Sequence, residues 1–497
     1  MSDPVLHIHP RDNVAVALSA LEAGSTVDVA GRRVTLVTAV PRGHKFALTA
    51  IRAGENFLKF GQPIGRATTD VPAGAHVHVH NLKTNLDGVQ SYTYAPAIEN
   101  LPAINDGATF DGYVRSDGEV GIRNEIWILP TVGCVNEVAN AIRRRALEDE
   151  LPEGVDGIHV FAHPYGCSQL GGDHENTQRI LADLARHPNA GGVLLIGLGC
   201  ENNTMASFRG VLGDVDPARY RFMVAQDASD EIAHGLGLLR ELIAHVAAQR
   251  RQPVPVARLR VGLKCGGSDG FSGITANPLV GAFSDLLVAR GGTSVLTEVP
   301  EMFGAEALFM NRCESQRVFD ACVAMINGFK DYFLRYNQVV YENPSPGNKD
   351  GGISSLEEKS LGCLQKGGTS AVVDILPYAA RLKKPGLNFL TGPGNDIVSC
   401  TAMTAAGAHM ILFTTGRGTP LGAPVPTLKI ATNTDLATRK SGWIDFNAGR
   451  LLEGVPMKQL ADDLFRHVVE VASGRVQSKN EINGFREIAI FKDGVTL

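Results

Sequence analysis

Residues 125–147 read EIWILPTVGCVNEVANAIRRRAL: an apolar run, a glycine, then apolar residues at helical spacing. Strand, glycine loop and amphipathic helix in that order form the repeating half-unit of a parallel α/β sheet. The order recurs. GGVLLIGLGC at 191–200 leads into a polar loop, and RFMVAQD at 221–227 precedes the helical DEIAHGLGLLRELIAHVAAQ at 230–249. Strand-like RLRVGLK (258–264) and HMILFTT (409–415) carry the pattern toward the end of the chain. Beyond about residue 110 the chain is therefore expected to form parallel sheet covered by helices.

Upstream the pattern differs. Short apolar stretches alternate with turn signals at Ala30-Gly31, Pro41-Arg42-Gly43, Ala53-Gly54-Glu55 and Pro72-Ala73-Gly74. This predicts a small β-rich region, with one amphipathic helix near Asn13–Leu21. Thr84 to Thr109 is polar, contains Pro96 and Pro102, lacks periodicity and reads as a linker. A further boundary falls at QRRQPVPV, 249–256. The expected units are 1–85, a linker 86–110, a central α/β region 111–255 and a C-terminal α/β region 256–497.

The composition narrows the function classes. At 497 residues the chain is long enough for several cores, and 44% apolar with 20% charged residues is ordinary globular material. Forty-seven basic against 52 acidic residues leave a net charge of -5, the opposite of a phosphate-backbone binder, so nucleic acid is not expected as a partner. The opening MSDPVLHIHPRDN lacks a charged segment followed by an apolar one, and no apolar run is long enough to span a bilayer. A cytoplasmic protein without membrane association is expected. Its eight cysteines include no CxxC pair, and reduced thiols are the default.

Several groups of residues could carry chemistry. Cys134, Cys167 and Cys200 are 33 residues apart each time, and each follows a glycine at an expected strand end. Coincidence of repeating βα units explains the spacing as well as a site does. If the strands are neighbours, however, the thiols gather at the carboxyl edge of a sheet, where such sheets bind ligands. His76-Val77-His78-Val79-His80 alternates, so in a strand the three imidazoles share one face, suited to a metal or a carboxylate; a solvated face over packed valines is the alternative. His44 lies in a second polar cluster of that region. KCGGSDGFSGITANPL, 264–279, sets Cys265, Ser268 and Asp269 in a glycine-rich loop after a strand, where backbone N–H groups can hold an anion. Polar loops at Glu298–Glu301, Asn343–Lys349, Glu358–Cys363 and Gly394–Asp396 point to one large cleft. The glycines at 416, 418 and 422 are followed by Pro420, Pro424 and Pro426 rather than by a helix, which disfavours a dinucleotide site. Neither a G-x-S-x-G elbow nor a P-loop is present, so metal-assisted chemistry is the class that remains.

Taken together, DNVAVAL, RGHKFAL, GAHVHVHN, PYGCSQLG, GLGCENN, KCGGSDGFSGITANPL, TEVPEMFGAE, YENPSPGNK, EEKSLGCLQKGG, PGNDIVS and TGRGTPLGAPVPTLKIATN resemble the altronate/galactarate dehydratase family over nearly the whole chain. The resemblance implies an N-terminal β-clip, SAF-like domain and a C-terminal variant of the Rossmann fold. It implies a hydro-lyase that turns a sugar acid, D-altronate or a relative such as galactarate, into a 2-keto-3-deoxy product, with Fe2+ or another divalent metal such as Mn2+. It also implies a homo-oligomer, dimer or larger. An iron–sulfur cluster on strand-end thiols is the open alternative for the cofactor. A sugar-acid binder without turnover is the alternative function.

Dehydration removes the proton beside the carboxylate and the neighbouring hydroxyl, which asks for a base, an acid and a cation for the developing enediolate. The candidates for acid and base are His76, His78 and His44, carried by an N-terminal region that closes over the sheet edge, with Lys359 as the other choice. For the metal they are Cys265 and Cys363, helped by Cys167, Cys200 or Asp269, since thiolates suit iron or zinc better than magnesium. For the substrate carboxylate and hydroxyls they are Gly266, Gly267, Ser268, Arg417 and Asn395.

Overall fold

From Val5 to Lys83 the chain forms only short strands. The structure, a computed structural model, describes residues 4–497; Met1–Asp3, the start of the stretch read for a leader, lies outside them. Val5–Leu6, Val14–Ala17, Lys45–Ala47 and His76–Val77 make an antiparallel four-stranded sheet, beside a ribbon of Thr26–Val29 with Arg32–Thr35 and a three-stranded sheet around Gln62–Ala67. The helix expected near Asn13–Leu21 is instead the strand Val14–Ala17. All four residues are buried, with Val14 in one apolar core and Ala15 and Ala17 in another. A short run buried on both faces has no periodicity that separates strand from helix. The histidine run also departs from expectation. Its strand stops at Val77 and Val79 is exposed, because Asn81 folds the chain back, its side chain accepting from His78 N and its own N–H donating to His78 O.

Leu86 to Ala108 contains no regular element. The segment is nevertheless pinned, by Tyr94 Oη on Cys313 O, Ala97 N on Asn311 O and Ile104 N on Ala289 O.

The central region builds a parallel sheet in the order Gly157–Val160, Glu125–Pro130, Ala190–Gly197, Tyr220–Val224. Alternation in Glu125–Pro130 sends Ile126 and Ile128 to one face, under helices Asn136–Ala146 and Glu231–Ala247, and Trp127 and Leu129 to the other, under Gly171–Ala185. Asp230 starts the longest of these helices by accepting from Ile232 N and Ala233 N.

The C-terminal region is a seven-stranded parallel sheet, ordered Val372–Leu376, Gly386–Leu390, Thr293–Leu296, Arg260–Cys265, Met410–Thr415, Thr427–Ala431, Phe446–Asn447. A strand-rich N-terminal region followed by helix-covered parallel sheet is the architecture the sequence predicts. Arg260–Cys265 enters at the middle; the chain next builds outward on one side and only then crosses to Met410–Thr415 on the other. Such a reversal opens a crevice at the carboxyl ends of the strands. Among the described residues no helix is long and apolar enough to cross a membrane.

The N-terminal region docks on that edge. Lys45 and Lys59, both buried, meet the buried Glu358 at 2.8 Å each. Backbone meets backbone beside them: a Cβ on Gly270 would stand 2.0 Å from Gly43 O, and one on Gly352 2.4 Å from the same oxygen. Gly270→Ala is expected to push the two regions apart and cost about 1–3 kcal/mol, read as a lower denaturation midpoint together with faster proteolysis in the 86–108 segment; an unchanged midpoint would refute this.

Candidate active site

Cys265 ends the central strand and Cys363 lies on the helix Leu356–Leu364, both buried, with their Sγ atoms 3.3 Å apart. Glu301, in the turn Val299–Met302, places Oε2 at 3.4 Å from Cys265 Sγ and 3.1 Å from Cys363 Sγ. Among the described residues this is the group whose ligand atoms converge as a metal site requires. Around it stand three ammoniums and three carboxylates. Lys359 Nζ meets Glu301 Oε1 at 2.9 Å, Lys366 Nζ meets Glu298 Oε2 at 2.8 Å, and Lys264 contacts both Glu298 and Asp396. These six charges cancel, so two thiolates would leave an excess of two negative charges, which a divalent cation neutralises. The donor set thus fits such an ion in number, softness and charge. With hydrogen as the only cation, the neighbouring Cys265 thiol and burial push the Cys363 thiol well up. Glu298 sits at φ 67, a left-handed backbone that a non-glycine residue adopts at a cost of about 1–3 kcal/mol. The same turn aims its carboxylate between Lys264 and Lys366.

Lys359 also contacts Asn343 Oδ1 at 3.0 Å and Asn348 Oδ1 at 3.3 Å. Burial pulls its ammonium down, but Glu301 and the two thiols outweigh burial and hold it above the ordinary lysine value. Lys359 therefore keeps its proton at neutral pH, which suits an electrostatic clamp or a proton donor better than a base.

The imidazoles gather in a second group that the segment Asn343–Ser355 links to the first. His44, His76 and His78 have ring centroids 4.9 to 5.5 Å apart. Burial, the first cause, lowers all three, His76 to about 3 and His78 to about 4, so they are neutral at physiological pH. Their hydrogen bonds assign the tautomers. His44 Nε2 donates to Asp350 O, which leaves His44 Nδ1 to accept from His76 Nε2 at 3.0 Å. His76 Nδ1 then carries a free lone pair. Lys45 donates to Ser354 Oγ, whose own hydrogen goes to His78 Nδ1, so His78 Nε2 carries a proton. One imidazole can accept a proton and its neighbour can give one.

A narrow cavity lies at the junction, lined by Lys59 and Phe60 from the N-terminal region, Ser268–Gly270, Ser272, Gly273, Lys359 and Cys363. Ser268 Oγ is buried there with no partner. Arg417 lies over the same loop, where its N–H and that of Gly416 donate to Gly267 O, and its guanidinium reaches Gly347 O at 3.3 Å. Gly266 N donates to Thr414 O, which ties down the start of the loop.

Three expected ligands do not join the metal set. Cys167 and Cys200 are exposed and sit at the edge of the central sheet, not beside Cys265. Asp269 is buried, and its carboxylate is already used by Ser272 Oγ, Phe271 N, Thr432 Oγ1 and Asn433 Nδ2 to shape the loop. Asn395 caps the helix Asp396–Ala405 by accepting from Val398 N, which commits its side-chain oxygen. Sequence reasoning singled out the loops holding Glu298, Glu301, Asn343 and Asn348 without giving these residues roles, and it passed over Lys264 and Lys366.

Comparison with known proteins adds the family. The C-terminal model of the D-galactarate/altronate dehydratases matches residues 256–496, the model for the second domain of D-galactarate dehydratase/altronate hydrolase matches 112–247, and the altronate/galactarate dehydratase SAF domain matches 3–85. The chain belongs to the D-galactarate/altronate dehydratase family. Within the family it is 55% identical to an altronate dehydratase of Escherichia coli (strain K12) over 493 residues, covering 99% of each chain. It is 50% identical to an altronate dehydratase of Bacillus subtilis (strain 168) over 496 residues, again 99% of each. A galactarate dehydratase (L-threo-forming) of Escherichia coli (strain K12) is 33% identical, over 98% of this chain and 96% of the relative. The family's SAF domain thus covers the β-rich region that carries the imidazoles.

Proposed function

We propose that this hydro-lyase dehydrates D-altronate to 2-dehydro-3-deoxy-D-gluconate at the junction of the N-terminal region and the C-terminal sheet. The convergence of Cys265, Glu301 and Cys363 beside Lys359 carries the reading of the site. Identity of 55% and 50% over the whole chain to altronate dehydratases, against 33% to a galactarate dehydratase, favours altronate as the substrate.

A divalent ion, Fe2+ in this reading and Mn2+ as the harder alternative, supplies positive charge for the enediolate when bound by Cys265, Glu301 and Cys363. His76 Nδ1 takes the proton from the carbon beside the carboxylate. Loss of the lone hydroxyl on the next carbon needs a proton, which His78 Nε2 or the Lys359 ammonium donates. Arg417, Ser268 and the N–H group of Gly267 bind the carboxylate and hydroxyls, the Gly266 N–H being committed to Thr414 O, and the docked N-terminal region excludes water. The reading divides the chain into functional units 1–85, 86–110, 111–255 and 256–497, assembled as a dimer or larger, in a reducing compartment such as the cytoplasm that keeps its eight thiols free.

Ser268→Ala is expected to raise KM for the sugar acid roughly tenfold without lowering stability, since the hydroxyl has no partner to lose. Steady-state kinetics beside a denaturation curve check both halves; an unchanged KM removes Ser268 from the pocket. The reaction itself is tested by anaerobic assay of iron-loaded protein with D-altronate, galactarate and D-mannonate. Preferential formation of the 2-keto product from altronate, abolished by a chelator, is expected. Faster turnover of galactarate overturns the substrate, and no turnover of any of the three overturns the function.

A further inference from the structure

The three cysteines at 33-residue spacing take no part in the site above, and the fold brings them together. Cys134, Cys167 and Cys200 follow the strands Glu125–Pro130, Gly157–Val160 and Ala190–Gly197, which are side by side with Glu125–Pro130 in the middle. Parallel neighbours lie about 4.8 Å apart, so all three thiols belong to one patch of sheet edge. Their loops are stitched to one another: Gly133 N donates to Tyr165 O at 2.8 Å, Asn203 N to Gly166 O at 2.9 Å, and Ser168 N to Asn202 Oδ1 at 2.9 Å.

The glycine before each cysteine is required. A Cβ on Gly133 would stand 2.8 Å from His163 O, on Gly166 2.1 Å from Thr131 O, and on Gly199 2.6 Å from Gln226 Oε1. Two of the Gly-Cys pairs are thus held by close backbone approach and the third by the Gln226 side chain and a φ of +130 at Gly199, and all three thiols stay exposed and free. Each precedes the start of a helix, Asn136–Ala146, Gly171–Ala185 or Met205–Leu212, so the three thiols stand at the sheet edge where these helices begin. Gln226 Nε2 donates to Cys200 Sγ at 3.6 Å, the kind of N–H contact that stabilises charge on a ligating sulfur.

We propose that Cys134, Cys167 and Cys200 together bind an iron–sulfur cluster, at a site separate from Cys265, Glu301 and Cys363. A cluster fits better than a single ion. One tetrahedral metal with bonds of about 2.3 Å needs its sulfurs drawn into close contact, as those of Cys265 and Cys363 are, whereas Cys134, Cys167 and Cys200 do not form a set at that range. A cluster gives each thiolate its own iron and so accepts the wider set; with three protein ligands a four-iron cluster keeps one iron open.

The test is anaerobic reconstitution of the full chain with ferrous iron and sulfide, followed by iron and acid-labile sulfide analysis, visible absorption and electron paramagnetic resonance. The wild type is expected to hold about four labile sulfides per chain, with thiolate-to-iron absorption. The triple variant Cys134→Ser, Cys167→Ser, Cys200→Ser, altered only at exposed positions, is expected to lose the sulfide and the colour while keeping chelatable iron. Cys265→Ser with Cys363→Ser is expected to do the reverse. Absence of labile sulfide from the wild type, uptake of a zinc ion without sulfide, or wild-type sulfide in the triple variant would each overturn the cluster. Any of these leaves the buried Cys265 set untouched, so the two readings fail separately.

Discussion

Cys363→Ser is expected to lower kcat/KM by more than about a hundredfold and to weaken divalent-metal binding by a comparable factor. Changes to groups that merely orient a ligand already cost that much, and Cys363 belongs to the ligand set itself, 3.1 Å from Glu301 and 3.3 Å from Cys265. Serine keeps the size but offers a hydroxyl far harder to deprotonate than a thiol. With one thiolate left in place of two, the excess negative charge falls from two to one, which weakens the electrostatic reason for a divalent cation to enter. Metal titration by calorimetry, read beside kinetics at saturating iron, separates the two effects. A variant that binds metal and turns over like the wild type removes Cys363 from the set.

Glu358→Ala is expected to destabilise the protein by about 3–5 kcal/mol, the cost of leaving buried charges without a partner. Burial alone would raise the Glu358 carboxyl, but the ammoniums of Lys45 and Lys59 outweigh it and hold the carboxyl down at about 2. Burial pulls Lys45 down to about 8, still high enough to leave it charged at neutral pH. A carboxyl lowered from its ordinary 4.5 to about 2 contributes stability that is complete above pH 4.5 and lost as the pH falls toward 2. That contribution is about 3 kcal/mol, and acid should therefore loosen the N-terminal region before the parallel sheets. Chemical denaturation at pH 7 and pH 3 measures both effects. Replacing the trio together by Met, Met and Leu is expected to restore most of the loss, since apolar groups of similar volume need no counter-charge. If the trio variant is as unstable as Glu358→Ala, packing rather than charge explains the loss.

How much of this was legible beforehand depended on whether a feature is local in the chain. Strand and helix in 125–147 could be read because both periods are complete within the segment, whereas Val14–Ala17, four residues buried on both faces, has no period to read. Cys265 and Cys363 were singled out by a glycine-rich stretch and by a polar stretch read as a loop, which the structure folds as the helix Leu356–Leu364. Their third companion, Glu301, depends on Thr293–Leu296 lying next to Arg260–Cys265, a matter of strand order that spacing does not encode. Cys167 and Cys200 show the same limit from the other side. Their spacing marked strand ends correctly and said nothing about which sheet those strands would join. The imidazoles were legible as a set, yet the division of labour between His76 and His78 rests on partners 350–354, more than two hundred residues away.

The pinned path of residues 86–108 bears on how the site responds to dilution. Because Tyr94, Ala97 and Ile104 fasten the connection along the C-terminal body, the histidine-bearing region works at the effective concentration of a short tether, and closure over the crevice is first order. A single nick in that connection would make the same docking second order, with an activity that falls as the solution is thinned and returns when the two pieces are mixed in excess.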